Sequence, residues 1–295
     1  MRAILNFLGA IALLQLIAIS AATQKRLVNG GLPVVSPDGR SIVFSSNKNG
    51  SDDLYVIGVD GSKEMQLTHT PEYESISGWT PNRKQLIFSV FKNNTTSIYS
   101  IDVDGKNERM IATVPGRSAV LSPDGKLVIY STGNWTEMAL MLSTLDGKSQ
   151  QQLNDGKSIA WNVHWSPDGK RFAFTGRGEK EIAVFTANAD GSNRHQVSQV
   201  PIEEGAAQWP VWSNDGKWLA IQVNSRTHKD SAHIWLIDVA SGESRKLASH
   251  AEDYLDETPF WFPDGKRLAF QSNRSGRMEV WIMNADGTNP RQVTH

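Results

Sequence analysis

Two short segments of this chain carry the residue types of metal or acid–base chemistry. His69-Thr70-Pro71-Glu72-Tyr73-Glu74 and His250-Ala251-Glu252-Asp253-Tyr254-Leu255-Asp256-Glu257 each set a histidine ahead of a tyrosine flanked by carboxylates. An imidazole beside carboxylates can hold a divalent cation or shuttle protons. The plainer alternative is that the acids are solvated and the tyrosine packs on a neighbour. A third grouping has different chemistry: Arg117, Trp161-Asn162 and Gln208-Trp209 place aromatic rings beside a guanidinium and amides. That combination suits a peptide or a sugar, with ordinary packing as the alternative. The binding residues expected from these segments are His69, Glu74, Arg117, Trp161, Gln208, Trp209, His250, Asp256 and Glu257. No catalytic residue is assigned, and the metal question stays open.

Several chemistries are excluded. There is no Gly-x-Ser-x-Gly elbow and no His-Glu-x-x-His pair, and Gly156-Lys157-Ser158 lacks the upstream glycine of a phosphate loop. The absence of cysteine removes disulfides, thiolate zinc sites, cysteine nucleophiles and a lipid-modified N-terminal cysteine. Lys+Arg 30 against Asp+Glu 31 gives a net charge of -1 with no basic stripe, which argues against nucleic acid as a partner.

The elements that must position these residues are repeats. Ser36-Pro37-Asp38-Gly39 recurs as Thr80-Pro81-Asn82-Arg83, Ser122-Pro123-Asp124-Gly125, Ser166-Pro167-Asp168-Gly169, Ser213-Asn214-Asp215-Gly216 and Phe262-Pro263-Asp264-Gly265, at spacings of 44, 42, 44, 47 and 49. A second turn follows in five copies as Asp60-Gly61, Asp104-Gly105, Asp146-Gly147, Asp190-Gly191 and Asp286-Gly287, and as Ser241-Gly242 in the fifth repeat. Between the turns lie short β-branched and aromatic runs, such as Ile42-Val43-Phe44 and Ile234-Trp235-Leu236-Ile237, which read as strands. Each copy is expected to give four antiparallel strands, with Gln66-Leu67-Thr68 and its counterparts as the fourth. Such a sheet cannot bury both faces alone, so the expected fold is all-β, a six-bladed β-propeller of four-stranded antiparallel blades. Trp79, Trp165, Trp212 and Trp261, with Val35 and Leu121 in the other copies, should wedge between blades from the innermost strand. The candidate binding residues then fall on loops at one mouth of the channel, with His69, His164 and His250 near innermost strands. How the ring closes is left open, because Lys25-Arg26-Leu27-Val28 and Arg291-Gln292-Val293-Thr294 both look like its last strand.

Met1 to Ala22 stands apart. Arg2 precedes an apolar run from Ala3 to Ile19 and small residues follow, the pattern of a secretory leader. The expected domains are therefore 1–22 as a signal peptide and 23–295 as the propeller. The expected location is periplasmic or secreted, with no membrane span after leader removal.

The repeat resembles the TolB-type propeller repeat. Trp165-Ser166-Pro167-Asp168-Gly169-Lys170, then Ile182, Phe185, Asp190-Gly191 and Val197-Ser198, follow its pattern, as does Trp261 to Thr294. The separate α/β domain that TolB carries before its propeller has no counterpart ahead of Ser36. The resemblance implies a non-catalytic module that binds an envelope protein or an extended peptide, and a monomer. Alternatives within the same repeat family are a carbohydrate-active lyase or hydrolase similar to oligogalacturonate lyase, and a sensor that binds a small ligand or sugar. No cofactor is required by the residues themselves. Because some such propellers bind calcium in the channel, the resemblance implies Ca2+ there as the cofactor to look for.

Overall fold

Each repeat opens on a turn that its own side chains fix. Ser36 Oγ donates to Asp38 Oδ1 at 2.6 Å and accepts the Ser41 N–H at 2.9 Å, while Asp38 Oδ1 accepts the Arg40 N–H at 3.0 Å. The Gly39 N–H closes on the Ser36 carbonyl at 2.8 Å. Ser122 with Asp124, Ser166 with Asp168 and Ser213 with Asp215 repeat the hydroxyl–carboxylate bond, and Thr80 with Asn82 is its uncharged version. The serine hydroxyl holds Asp38, Asp124, Asp168 and Asp215 below the usual carboxylate range. In the last repeat Phe262 has no hydroxyl, and Arg267 Nε binds Asp264 instead at 2.9 Å.

In the computed structural model the described residues are 28–134, 137–156, 159–179, 181–201, 203–228, 231–247 and 254–295. The first repeat gives β1 (Val28–Val35), β2 (Ser41–Ser46), β3 (Asp53–Gly58) and β4 (Met65–Gln66), and the second gives β5 (Glu74–Trp79), β6 (Gln85–Lys92), β7 (Thr95–Asp102) and β8 (Arg109–Pro115). The third gives β9 (Arg117–Leu121), β10 (Leu127–Gly133), β11 (Met138–Thr144) and β12 (Gln150–Gln152). The fourth gives β13 (Ala160–Trp165), β14 (Arg171–Arg177), β15 (Ile182–Asn188) and β16 (His195–Gln196). The fifth gives β17 (Gly205–Trp212), β18 (Trp218–Ser225), β19 (Ala232–Asp238) and β20 (Ser244–Lys246). The sixth gives β21 (Asp256–Trp261), β22 (Arg267–Ser272), β23 (Met278–Asn284) and β24 (Arg291–Gln292). Among the described residues no helix is long and apolar enough to cross a membrane.

Repeats two to five form separate four-stranded antiparallel sheets, and the first and sixth merge into one of eight strands. The arrangement is propeller-like: β1, β5, β9, β13, β17 and β21 neighbour one another in that order, and β21 neighbours β1. Alternate side chains of each sheet enter different cores. Leu86 and Phe88 pack with Val43, Leu54 and Val56 of the first repeat, whereas Ile87 and Ile98 pack with Val128 and Tyr130 of the third. Trp165, Trp212 and Trp261 are buried and Trp79 is half-buried. The indole N–H groups of Trp79 and Trp261 donate to Val35 and Val211 carbonyls of the preceding sheet, at 2.9 and 3.2 Å. The wedge expected of these residues is what they form.

The closing strand joins the two chain ends. Val28 and Asn29 at the start of β1 pair in parallel with Met278 and Glu279 of β23, beside the stretch of β23 that β24 uses. Asn29 Nδ2 donates to Glu279 Oε2 at 3.1 Å, and Thr294 Oγ1 donates to the Asn29 carbonyl at 2.9 Å. A Cβ at Gly30 would lie 2.4 Å from the Val280 nitrogen, so glycine alone permits this approach. Both chain ends thus contribute, one after the other along the same strand. Lys25 to Leu27 lie outside the described residues, as does the expected leader.

The fourth strands stop short of the expected Leu67-Thr68 and Val197-Ser198. There the side chains of Thr68, Ser198 and Thr294 accept the Leu54, Val184 and Val280 N–H groups at 2.9, 3.0 and 2.8 Å, replacing the ladder with a hydroxyl.

Arg83 stands where other repeats have glycine, at φ +59°, against +66° to +71° for Gly39, Gly125, Gly169, Gly216 and Gly265. The left-handed region costs an L-residue about 1–2 kcal/mol, and a glycine's extra unfolded freedom costs roughly 0.5–1 kcal/mol. Arg83→Gly should therefore stabilise the protein by ~0.5–1 kcal/mol, seen as a higher urea midpoint. A lower midpoint would contradict this account of the turn.

Candidate functional site

The innermost strands share a feature that their sequences hide. Leu32, Ser118, Asn162, Trp209 and Thr258 have φ between +48° and +57°, each three positions before the last residue of β1, β9, β13, β17 or β21. The ladder to the next strand slips at the same place in all five. In β5 the slip sits between Ile76 and Gly78, with Gly78 at φ +131°. Such bulges re-aim the side chains beside them. A tryptophan in this conformation is strained and marks a place where function competes with stability.

The residue just before each left-handed one is Gly31, Arg117, Trp161, Gln208 or Glu257. Four of the expected binding residues therefore occupy one register level, at the end of the ring where the fourth strands return. They lie on strands, not on the loops expected from sequence. Arg117 is half-buried with its guanidinium 4.9 Å from the centre of the Phe91 ring. Trp161 is half-buried. Gln208 is 7% exposed, and its side chain makes no hydrogen bond among the described residues. Glu257 accepts from Gln222 Nε2 at 3.3 Å and Gln271 Nε2 at 2.7 Å. Trp209, on the bulge itself, donates its backbone N–H to Thr175 Oγ1 at 3.2 Å. The buried Thr258 hydroxyl beside Glu257 has no partner.

Two other expected residues are placed differently. Glu74 and Asp256 open β5 and β21 and are both buried. Thr68 and Thr70 donate to the Glu74 carboxylate, and burial, helped by Asp53 and Glu108, pushes its pKa up to about 7. Asp256 is held by Ser272 Oγ at 2.7 Å and by the Arg274 guanidinium at 2.6 Å. Their neighbourhoods are structural supports of the strand ends, not an open cation site. His69 is exposed on the loop before β5, and His250 lies outside the described residues. His164 sits inside the ring with its imidazole 6.3 Å from the Phe260 ring. Its Nδ1 accepts the backbone N–H of Trp212 at 3.4 Å. Its ring keeps some accessible surface, yet enclosure by the surrounding strands pushes its pKa down to about 4, so it is neutral at ordinary pH. No three His, Asp or Glu residues converge in a way that could hold a metal among the described residues.

The model of the TolB beta propeller domain matches residues 12–138 and 132–295. Among solved structures, TolB from Acinetobacter baumannii has a TM-score of 0.66 at 18% identity, with 88% of this chain and 61% of that chain covered. Oligogalacturonate lyase from Vibrio parahaemolyticus has a TM-score of 0.59 at 13% identity, with 89% and 92% covered. At these identities the likeness is one of fold. An uncharacterized protein of Agrobacterium fabrum is 31% identical over 86 residues, so the match spans 29% of this chain and 28% of that relative.

Glu74 yields a pH prediction. Its proton is held to about 7 in the folded state, against 4.5 for an ordinary glutamate. The folded state therefore binds more protons in that interval, and stability falls as pH rises through it. Urea midpoints of the wild type should decline between about pH 5 and pH 7, and Glu74→Gln should flatten that decline. An undiminished slope in the variant would show that another group is responsible.

Proposed function

The chain belongs to the TolB beta propeller domain family, and on that premise we propose that it is an exported, non-catalytic module binding an extended peptide or protein segment at one mouth of a six-bladed ring. Six blades follow from taking the eight-stranded sheet as two blades fused where β1 meets β23. The leader pattern of Met1 to Ala22 supports action outside the cytoplasm, in the cell envelope.

The observation that carries the reading is the shared level of Arg117, Trp161, Gln208 and Glu257 on the innermost strands. A peptide backbone offers both a donor and an acceptor to the Gln208 amide. Trp161 supplies a rigid apolar face, and Arg117 and Glu257 can orient a segment by charge. Turnover of a sugar by imidazole-held metal would need converging histidines. His69 is exposed on a loop while His164 is enclosed against Phe260, which favours binding over catalysis.

Tagged protein from about residue 23 onward should crosslink a specific partner in extract of its own envelope. The combined Trp161→Ala, Gln208→Ala and Glu257→Gln variant should lose that partner, and Lys148→Ala, at the opposite end of the ring, should keep it. A partner captured equally by the mouth variant, or none captured by the wild type, overturns the proposal.

A further inference from the structure

One outermost strand departs from the other five. β4, β16 and β24 have two residues and β12 and β20 have three, whereas β8 has seven. It pairs with β7 from Ser100↔Arg109 to Thr95↔Pro115, and among the described residues no strand lies on its other side. The tight hairpin at Asn93 and Asn94, both at positive φ, lengthens β6 and β7 to match. The end of β8 is pinned to it: the Gly116 N–H donates to the Asn94 carbonyl at 3.0 Å, and Thr96 Oγ1 donates to the Gly116 carbonyl at 2.6 Å. The edge is thus ordered and open, and Met110 on it is 61% exposed. Natural sheets keep such edges short because their unpaired N–H and C=O groups recruit another strand.

A cavity of about 480 Å³ lies against the same sheet, lined by Thr70, Glu72, Lys92, Ser97, Tyr99 and Glu108 among others. Tyr99 is stacked on Phe88 at 5.3 Å to make its back wall. Lys92 neutralises Glu72 at 2.7 Å. Glu108 has no ion-pair partner among the described residues, and it sits immediately before Arg109, where cavity and strand edge meet. The negative character of this corner is felt by Glu74, whose proton Glu108 helps to retain.

We propose that β8 and this cavity form a second docking site, which takes an extended peptide as an added strand and a Lys or Arg side chain of that peptide toward Glu108. Strand addition supplies main-chain hydrogen bonds, and the adjoining cavity supplies selectivity. A second copy of the chain fits less well. A ladder about 24 Å long covers well under the roughly 1,200 Å² of a stable interface.

The test uses a fluorescein-labelled Thr-Val-Lys-Val-Thr-Val peptide and fluorescence anisotropy, with Ala112→Pro and Thr113→Pro variants. Of two adjacent strand residues, one N–H faces β7 and the other faces outward. The proline variant that retains the wild-type unfolding midpoint should bind at least about tenfold more weakly. Glu108→Gln should weaken the lysine peptide about tenfold and leave a glutamine-for-lysine peptide unchanged. In the wild type, saturating peptide should slow amide exchange within Met110–Val114, a readout that needs no variant. Absence of saturable binding, absence of that protection, full affinity in the folded proline variant, equal affinity for the glutamine peptide, or self-association through β8 would each overturn the proposal.

Discussion

The contact between Asn29 and Glu279 is the constraint on which the remaining architecture rests. Every sheet in this molecule has two apolar faces, and both are covered only if the stack returns on itself. Glu279 is fully buried at the seam, a position that would be prohibitive for an unsatisfied carboxylate. Its oxygens are met by Asn29, Thr294 and the Arg277 guanidinium, while Asn29 is itself held by the Ser46 hydroxyl at 3.0 Å. Of these partners only Asn29 comes from across the seam. An open form would leave it without Asn29, so this bond adds a directional condition to the apolar packing that joins the first and sixth repeats.

The repeat and its chemistry were legible in the residues. Ser-Pro-Asp-Gly dictates a turn through local hydrogen bonds, and those bonds are present with little help from the surroundings. The wedge tryptophans were equally readable, because a large ring just before a tight turn has few places to go. The bulges of the innermost strands were not. Their left-handed residues are Leu32, Ser118, Asn162, Trp209 and Thr258, of which only Asn162 tolerates that conformation well. The geometry is imposed by packing around a narrow axis, not by local preference. Only the recurrence of polar or aromatic residues four positions before the wedge residue could have signalled it. The length of β8 was hidden for a similar reason. Arg109 to Val114 resembles any other closing strand, and what extends it is the Asn93-Asn94 turn, whose effect is felt a strand away.

The candidate site shows how alike sequences can diverge in role. Glu74 and Asp256 begin equivalent strands, and both were expected as binding residues on loops at the channel mouth. Burial turned each into a structural group with a different solution. Two threonine hydroxyls and a retained proton serve Glu74, and a guanidinium packed over Tyr254, Phe270 and Trp281 serves Asp256. At the level just beyond them Glu257 is held by Gln222 and Gln271 and Arg117 lies over the Phe91 ring, so the same residues that could meet a ligand also serve the fold.

The seam also sets an order of events in biogenesis. Asn29 is among the first residues of the ring to be synthesised, and its partners Glu279 and Thr294 are among the last, separated from it by 250 and 265 positions. Until the ribosome has released the final repeat, β1 has no strand to complete and Glu279 does not exist to be buried. The four self-contained sheets of repeats two to five can be completed before that point, whereas the seam between the first and sixth repeats comes last.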